Sequence, residues 1–172
     1  MPQRVSKQEI SGRVDLRDLD LVTIDPATAR DHDDALWATR TKHGGYRIVV
    51  AIADVSGITS NPIAPWNAKY LDRCTSIYLP DRAIPMLPPE ISTNLASLVP
   101  DRDRLCMAID IQLDSNGKTQ SVSFSEAVMR SRAKVTYEGA AALGLTKNQP
   151  QQPAAQKQLA SLQTLLGASD KI

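Results

Sequence analysis

Four aspartates lie close together in the first part of the chain: Asp25, Asp31, Asp33 and Asp34. Carboxylates this close repel one another unless a cation or water separates them. Hard divalent cations prefer oxygen ligands, and Mg²⁺ in particular uses one or two carboxylates together with water and substrate phosphates. The cluster is therefore a candidate site for metal-dependent phosphodiester hydrolysis, in which the ion polarises the phosphate and activates a water molecule.

Two other interpretations compete for the same residues. Acidic stretches are commonly solvated loops, although here apolar segments flank the cluster at residues 21–24 and 35–37. An EF-hand loop beginning at Asp31 would need glycine at Leu36 and a bidentate glutamate at Lys42, and the sequence has neither. The P-loop, nucleophile-elbow, HExxH and dinucleotide motifs are missing from the sequence. A metal site and a solvated loop thus remain open on spacing alone.

The elements that must position these aspartates read as an α+β fold with a largely antiparallel sheet and flanking helices. Apolar runs predict strands at residues 21–24, 35–38 and 46–53, with a loop at 26–30 and a turn at 43–45. Apolar residues alternate with mostly polar ones through 105–113, an Asn-Gly turn follows, and the alternation resumes through 122–128. This pattern predicts a half-buried β-hairpin. Helices are expected within 66–73, after a strand end in 133–144, and over 156–166.

Composition sets the outer limits. The chain has 172 residues, a net charge of +1 and two cysteines without metal-ligand spacing, which we expect to be free thiols. The near-neutral charge argues neither for nor against RNA, since any basic surface must be local. The start lacks a signal-peptide core, and the longest apolar run, residues 48–53, is far too short to span a bilayer. We therefore expect a cytoplasmic protein with no membrane partner.

An ordered series of short motifs surrounds the aspartates and continues through the middle of the chain. In order, they are DLR at 15–17, VTID at 22–25, ARDHDDA at 29–35, IADVS at 52–56, RCTSIYLP at 73–80, IPMLP at 84–88, Ser92 with LASL at 95–98, and SRAKVTY at 131–137. In content and spacing this series resembles the RNB catalytic domain of RNase II and RNase R exoribonucleases. The resemblance covers about residues 15–139.

The resemblance implies processive 3′→5′ hydrolysis of single-stranded RNA to nucleoside 5′-monophosphates with Mg²⁺, or with Mn²⁺ as the alternative ion. By position, Asp25, Asp31, Asp33 and Asp34 match the family's four catalytic aspartates. Asp25, Asp31 and Asp34 are assigned mainly to the metal, whereas Asp33 is shared between the metal and the attacking water.

Two tyrosines also match the family. Tyr78 corresponds to a tyrosine that stacks near the RNA 3′ end, and an aromatic face suits sequence-independent gripping of a base. Tyr137 corresponds to a tyrosine near the scissile phosphate and is taken as catalytic with Asp33. The structural alternatives are a tyrosine packed beside proline loops and a core residue at a helix start.

The chain departs from the family in length. We predict a lead-in at residues 1–14, a partial RNB domain at 15–144 and a helical C-terminal segment at 145–172. A full RNB domain is about twice as long, and its catalytic arginine has no counterpart after Tyr137. Expected partners are single-stranded RNA and either the missing second half of the domain or flanking cold-shock-like and S1-like domains. The alternative function is a non-catalytic RNA-binding or regulatory remnant.

Overall fold

The computed structural model describes residues 5–56, 75–89, 91–145 and 159–169. Its helices and strands are, in chain order, α1 (Lys7–Ile10), β1 (Val14–Asp15), β2 (Val22–Asp25), β3 (Asp34–Arg40), β4 (Tyr46–Ala53), β5 (Ile77–Tyr78), β6 (Ala83–Ile84), a π-helical segment (Ile91–Leu95), β7 (Asp103–Leu113), β8 (Thr119–Arg130), β9 (Ala133–Thr136), α2 (Tyr137–Leu145) and α3 (Leu159–Ser169).

Seven strands form one mixed sheet in the order β1-β8-β7-β4-β3-β2-β9. The four central pairings are antiparallel, and the two outer pairings, β1 with β8 and β2 with β9, are parallel. Only Ser131 and Arg132 separate β8 from β9, although these strands lie towards opposite edges of the sheet. The sheet must therefore curl to bring those edges together. The predicted α+β class with a mainly antiparallel sheet is confirmed.

The predicted hairpin forms, and its strands are the longest in the sheet. Asp103 pairs with Arg130 at one end and Leu113 with Thr119 at the other, next to the Asn-Gly turn. The burial differs from a simple half-buried pattern. Cys106, on the face of the hairpin opposite to the predicted apolar residues, is fully buried, whereas Phe124, which is one of those apolar residues, exposes 69% of its surface. Small side chains on the face that carries Cys106 form the tight core. Phe124 is exposed because the outer half of β8 extends beyond the short strand β1.

Two apolar layers sandwich the central strands. On one face, a core of mostly small and aliphatic side chains includes Val49, Ala51 and Ala108. On the other face, Ala168 of α3 packs against a cluster that contains Tyr46. The helix predicted over residues 156–166 is observed at Leu159–Ser169, and residues 156–158 lie outside the described residues.

Smaller features were harder to read from the sequence. The proline-rich stretch taken as irregular contains the two short strands β5 and β6, and the lead-in contains α1, which the Ser6–Glu9 capping box begins. The predicted helix at 66–73, the Gln/Pro break at 149–153 and Cys74 lie outside the described residues. Cys106 is a free thiol whose pKa burial raises to about 12. Within the described ranges, no helix combines the length and apolar character needed to cross a bilayer.

Candidate functional site

The aspartates meet where several strands begin or end along one side of the sheet. Asp25 is the last residue of β2 and pairs in register with Thr136, the last residue of β9. Asp34 is the first residue of β3, and the carbonyl of Asp33 accepts a hydrogen bond of 2.8 Å from the amide of Ala53, the last residue of β4. The loop between β2 and β3 therefore begins and ends at the same level of the sheet.

The segment before β3 is extended, so its side chains alternate in direction. Asp31 and Asp33 are exposed, while His32 between them is 4% exposed. Nδ1 of His32 lies 2.7 Å from Oδ2 of Asp25. The inward histidine thus joins the loop to the end of β2, and the two outward carboxylates are presented together.

Lys134 holds the first half of the loop. Its Nζ donates hydrogen bonds to the carbonyl of Ala29 at 2.6 Å and to that of Ala27 at 3.3 Å. Because Lys134 belongs to β9, which pairs with β2, the loop folds back over the strand pair that it leaves. This contact restricts the path of the chain towards Asp31.

The carboxylates influence one another electrostatically. Partial desolvation raises the pKa of Asp33, repulsion from Asp31, Asp34 and Asp25 raises it further, and His32 opposes the rise. Desolvation and then repulsion from Asp25 raise the pKa of Asp34. Both residues keep solvent contact, so the site is an accessible concentration of negative charge.

A cleft of about 300 Å³ opens beside the aspartates. The cleft is lined by Asp31, Asp33 and Tyr78, and Tyr78 exposes 79% of its surface. The rest of its wall is mainly apolar and comes from the end of β4, the β5–β6 hairpin and the π-helical segment: Ile52, Ala53, Val55, Ser76, Pro85, Met86, Leu87, Ser92 and Ala96. One surface therefore combines carboxylates with an aromatic face and apolar walls.

Tyr137 follows the residue that pairs with Asp25. It begins α2 directly after Thr136, the register partner of Asp25, and it is 55% exposed. The side chain is therefore not a core residue at a helix start, which was the structural alternative. Tyr137 does not line the Tyr78 cleft, so the two tyrosines occupy separate places around the aspartates.

The oxygen-only donor set and the mutual repulsion of the carboxylates suit a hard divalent cation. Within the part of the chain that the structure describes, no three His, Cys, Asp or Glu side chains converge into a ready-made coordination shell. Mg²⁺ commonly takes one or two protein carboxylates and completes its shell with water and phosphate oxygens. The open arrangement therefore fits Mg²⁺ better than an ion that requires a closed protein cage.

Two residues have contacts that the sequence did not reveal. His32 is buried against Asp25. Asp54 accepts a hydrogen bond of 2.7 Å from Ser56 Oγ and forms an ion pair of 2.7 Å with Arg13. The Arg13 contact spans 41 positions in the chain, and no local pattern indicates it.

Comparison with known proteins identifies the family to which this sequence is similar. The family model described as RNB domain matches residues 13–171. Ribonuclease R of Escherichia coli K12 is 46% identical over 137 residues, which is 80% of this chain and 17% of that protein. The chain thus spans less than a fifth of the length of this curated relative.

Two solved structures resemble the fold. Mycoplasma genitalium RNase R in complex with ribose methylated single-stranded RNA gives a TM-score of 0.85 at 28% identity, covering 96% of this chain and 26% of that one. Yeast Ssd1, described as a pseudonuclease, gives a TM-score of 0.73 at 16% identity and covers 90% of this chain and 19% of its own. The second likeness concerns the fold alone.

Proposed function

Because the chain belongs to the RNB domain family, we propose that it supplies the cation-binding part of the active site of a 3′→5′ exoribonuclease. The proposed reaction is hydrolysis of single-stranded RNA to nucleoside 5′-monophosphates. One observation carries this proposal: Asp31 and Asp33 share a single cleft with the exposed ring of Tyr78. A nucleotide that stacks its base on that ring would bring its phosphate towards the carboxylates.

The chain's own residues would divide the work of binding and positioning. Tyr78 offers an aromatic face that accepts any base, which suits an enzyme that degrades RNA without sequence preference. Asp33 has three like-charged neighbours whose repulsion raises its pKa, so a bound cation would relieve that repulsion, and we assign Asp33 to both the cation and the attacking water. Asp25, Asp31 and Asp34 serve mainly as cation ligands. When bound, Mg²⁺ or Mn²⁺ supplies the positive charge that polarises the phosphate and activates water.

Tyr137 is proposed as a contact near the scissile phosphate. Its position one residue beyond the partner of Asp25 supports this role, since the helix start places it beside the aspartates with most of its ring exposed. A phenolic hydroxyl there can donate a hydrogen bond to a phosphate oxygen.

A non-catalytic RNA-binding remnant is the second candidate. The likeness to a pseudonuclease favours considering it, because it shows that this fold does not by itself establish catalysis. The four retained aspartates support the enzyme instead, since a remnant has no need for mutually repelling carboxylates.

The proposed partners are RNA and further parts of the catalytic machinery. The chain corresponds to 17% of the Escherichia coli relative, and the outer half of β8 exposes Val122 and Phe124. Apolar side chains on a sheet face are commonly covered in the complete assembly. We propose that the second half of the RNB domain, or flanking cold-shock-like and S1-like domains, completes the active protein.

The proposal is tested by assaying the longest natural polypeptide that contains these 172 residues, alongside the chain itself. Uniformly labelled oligo(A) is incubated with Mg²⁺, with Mn²⁺ or with EDTA, and the release of labelled mononucleotides is followed. Asp33→Asn is the test variant, and Asp18→Asn, an exposed aspartate in the β1–β2 loop, is the charge-matched control.

The expected result is divalent-cation-dependent release of mononucleotides that Asp33→Asn reduces by at least about a hundredfold. RNA affinity in EDTA should change little, and Asp18→Asn should behave as wild type. Binding without degradation by the longest polypeptide would favour the remnant. Normal turnover by Asp33→Asn would refute the assignment of the site.

A further inference from the structure

A buried polar chain of contacts connects β7 to the loop that carries the aspartates. Ser97, which is fully buried, accepts a hydrogen bond of 3.0 Å at Oγ from the amide of His32. The same hydroxyl donates to the carbonyl of Arg30 at 3.2 Å, and the amide of Leu98 donates to the carbonyl of His32 at 2.8 Å. The main chain on either side of Asp31 is therefore tied to this turn.

Arg104 in turn holds the Ser97 turn. Its Nε donates to the carbonyl of Ser97 at 2.9 Å, and Nη2 donates to Oδ1 of Asn94 at 3.2 Å. The third hydrogen bond runs from Nη1 to the carbonyl of Asp103 at 3.1 Å. All three acceptors are uncharged oxygens, although Arg104 exposes only 2% of its surface.

Burying a guanidinium against uncharged acceptors is costly. Desolvation and then the neighbouring Arg102 lower the pKa of Arg104, and the Asp103 carboxylate partly opposes this fall. A hydrophobic side chain could fill the same volume with a lower desolvation cost. It could not, however, donate the hydrogen bonds that the planar guanidinium of arginine makes here. The donors of Arg104 join the π-helical segment, the Ser97 turn and β7 at one point.

We propose that Ser97 and Arg104 are positioning residues, which hold the loop at residues 30–33 so that Asp31 and Asp33 face the cleft together. This inference rests on the proposed function for its catalytic consequence. The effect on the loop itself depends only on the hydrogen bonds of the loop and not on the proposed function.

The physical reason lies in the short extended path of the loop. His32 is fixed at three points: its amide by Ser97, its carbonyl by Leu98 and its ring by Asp25. Without the hydroxyl of Ser97, the amide of His32 and the carbonyl of Arg30 lose their shared partner. The Leu98 and Asp25 contacts would remain, but the peptide between Arg30 and His32 would be less restrained, and rotation there redirects the carboxylates on both sides of His32. Displacements of about 1 Å at reacting groups can reduce rates by about a hundredfold.

Ser97→Ala tests the proposal, and Ser161→Ala is its matched control. Ser161 is also buried, and its Oγ accepts a backbone hydrogen bond of 2.9 Å from Ala38. Ala38 lies five positions along the chain from Asp33, within β3 rather than in the loop. Both variants remove one buried hydroxyl that accepts a backbone amide, and Ser97→Ala also removes the hydrogen bond to the carbonyl of Arg30.

Three measurements on the longest natural polypeptide separate the variants: kcat and KM for oligo(A), Mn²⁺ affinity by electron paramagnetic resonance, and amide hydrogen exchange of the loop. For Ser97→Ala we expect kcat to fall by about 10- to 100-fold with KM within about twofold. We also expect weaker Mn²⁺ binding and faster exchange at residues 30–34. Ser161→Ala should lose thermal stability without any of these changes.

Equal kcat in the two variants, or unchanged loop exchange in Ser97→Ala, would overturn the positioning role. If Ser97→Ala does not fold, Asn94→Ala replaces it, because that variant removes only one acceptor of Arg104 at a half-buried position. It should give the same changes with smaller amplitude, and unchanged kcat and exchange would again overturn the role. Failure of the proposed function is distinguishable, since wild type would then lack cation-dependent cleavage whereas loop exchange would still respond to Ser97→Ala.

Discussion

The ion pair between Arg13 and Asp54 gives a stability prediction that can be worked from the structure. Arg13 Nη2 lies 2.7 Å from Asp54 Oδ2, and the two side chains expose only 11% and 8% of their surfaces. Asp54 follows Ala53, whose amide bonds to the carbonyl of Asp33. The pair therefore ties the segment before β1 to the end of β4 beside the aspartates.

Replacing Arg13 with methionine keeps much of the side-chain volume but removes the positive charge. The Asp54 carboxylate then stays buried with the Ser56 hydroxyl and without the arginine, and breaking a buried pair in this way costs about 3–5 kcal/mol. For a domain of this size, about 1 kcal/mol corresponds to about 2–4 °C in Tm. The expected fall in Tm is therefore about 6–20 °C.

Thermal unfolding followed by circular dichroism measures this fall, and a second ion pair supplies the control. Arg82 Nη1 lies 3.3 Å from Asp81 Oδ2, with both side chains mostly exposed, so Arg82→Met should cost at most about 1 kcal/mol. The double variant Arg13→Met/Asp54→Asn should recover part of the loss, because it also removes the buried negative charge that Arg13 balances. A fall as small for Arg13→Met as for Arg82→Met would refute the reasoning that burial makes this pair important.

Three further predictions concern single positions. Because desolvation and then repulsion from neighbouring aspartates raise the pKa of Asp33 in the folded state, the metal-free protein should gain stability as pH falls through that raised pKa. Asp33→Asn should therefore raise Tm at pH 7 without divalent cations, and a lower Tm would contradict the repulsion. Tyr78→Ala should weaken binding of single-stranded RNA by about 5- to 150-fold in a fluorescence anisotropy titration in EDTA. Tyr78→Phe, which keeps the ring, should bind as wild type. Equal affinity for all three proteins would exclude stacking. A Cβ at Gly45 would clash with the carbonyl oxygen of Leu113. Gly45→Ala should therefore lower the free energy of unfolding by about 1–3 kcal/mol, as measured by urea denaturation. An unchanged urea midpoint would contradict this close approach.

The sequence predicted those parts of the fold that local patterns determine. The strand predicted at 46–53 matches β4. The Asn-Gly pair lies in the hairpin turn, where Gly117 has a φ of 84° and its amide donates to the carbonyl of Asp114. The aspartates follow apolar strand signals, which placed Asp25 at a strand end and Asp34 at a strand start. Their common level in the sheet depends on strand pairing, which the sequence does not specify.

The parts that escaped prediction depend on contacts between distant segments. Ser97 is 65 positions from His32, and neither residue type nor spacing shows that a serine hydroxyl meets a loop amide. Period-two alternation predicted strands in β7 and β8, but it could not show that Cys106 and Ala108 face the tighter core. The two-residue strands β5 and β6 are shorter than any run from which alternation can be recognised.

The most direct test of the account measures cation binding by the aspartates themselves. Free Mn²⁺ is quantified by electron paramagnetic resonance during titration of wild type, Asp33→Asn and the control Asp18→Asn. We predict saturable binding by wild type and by the control, with affinity at least about tenfold weaker in Asp33→Asn. Equal binding by wild type and Asp33→Asn would contradict the claim that these carboxylates form the cation site.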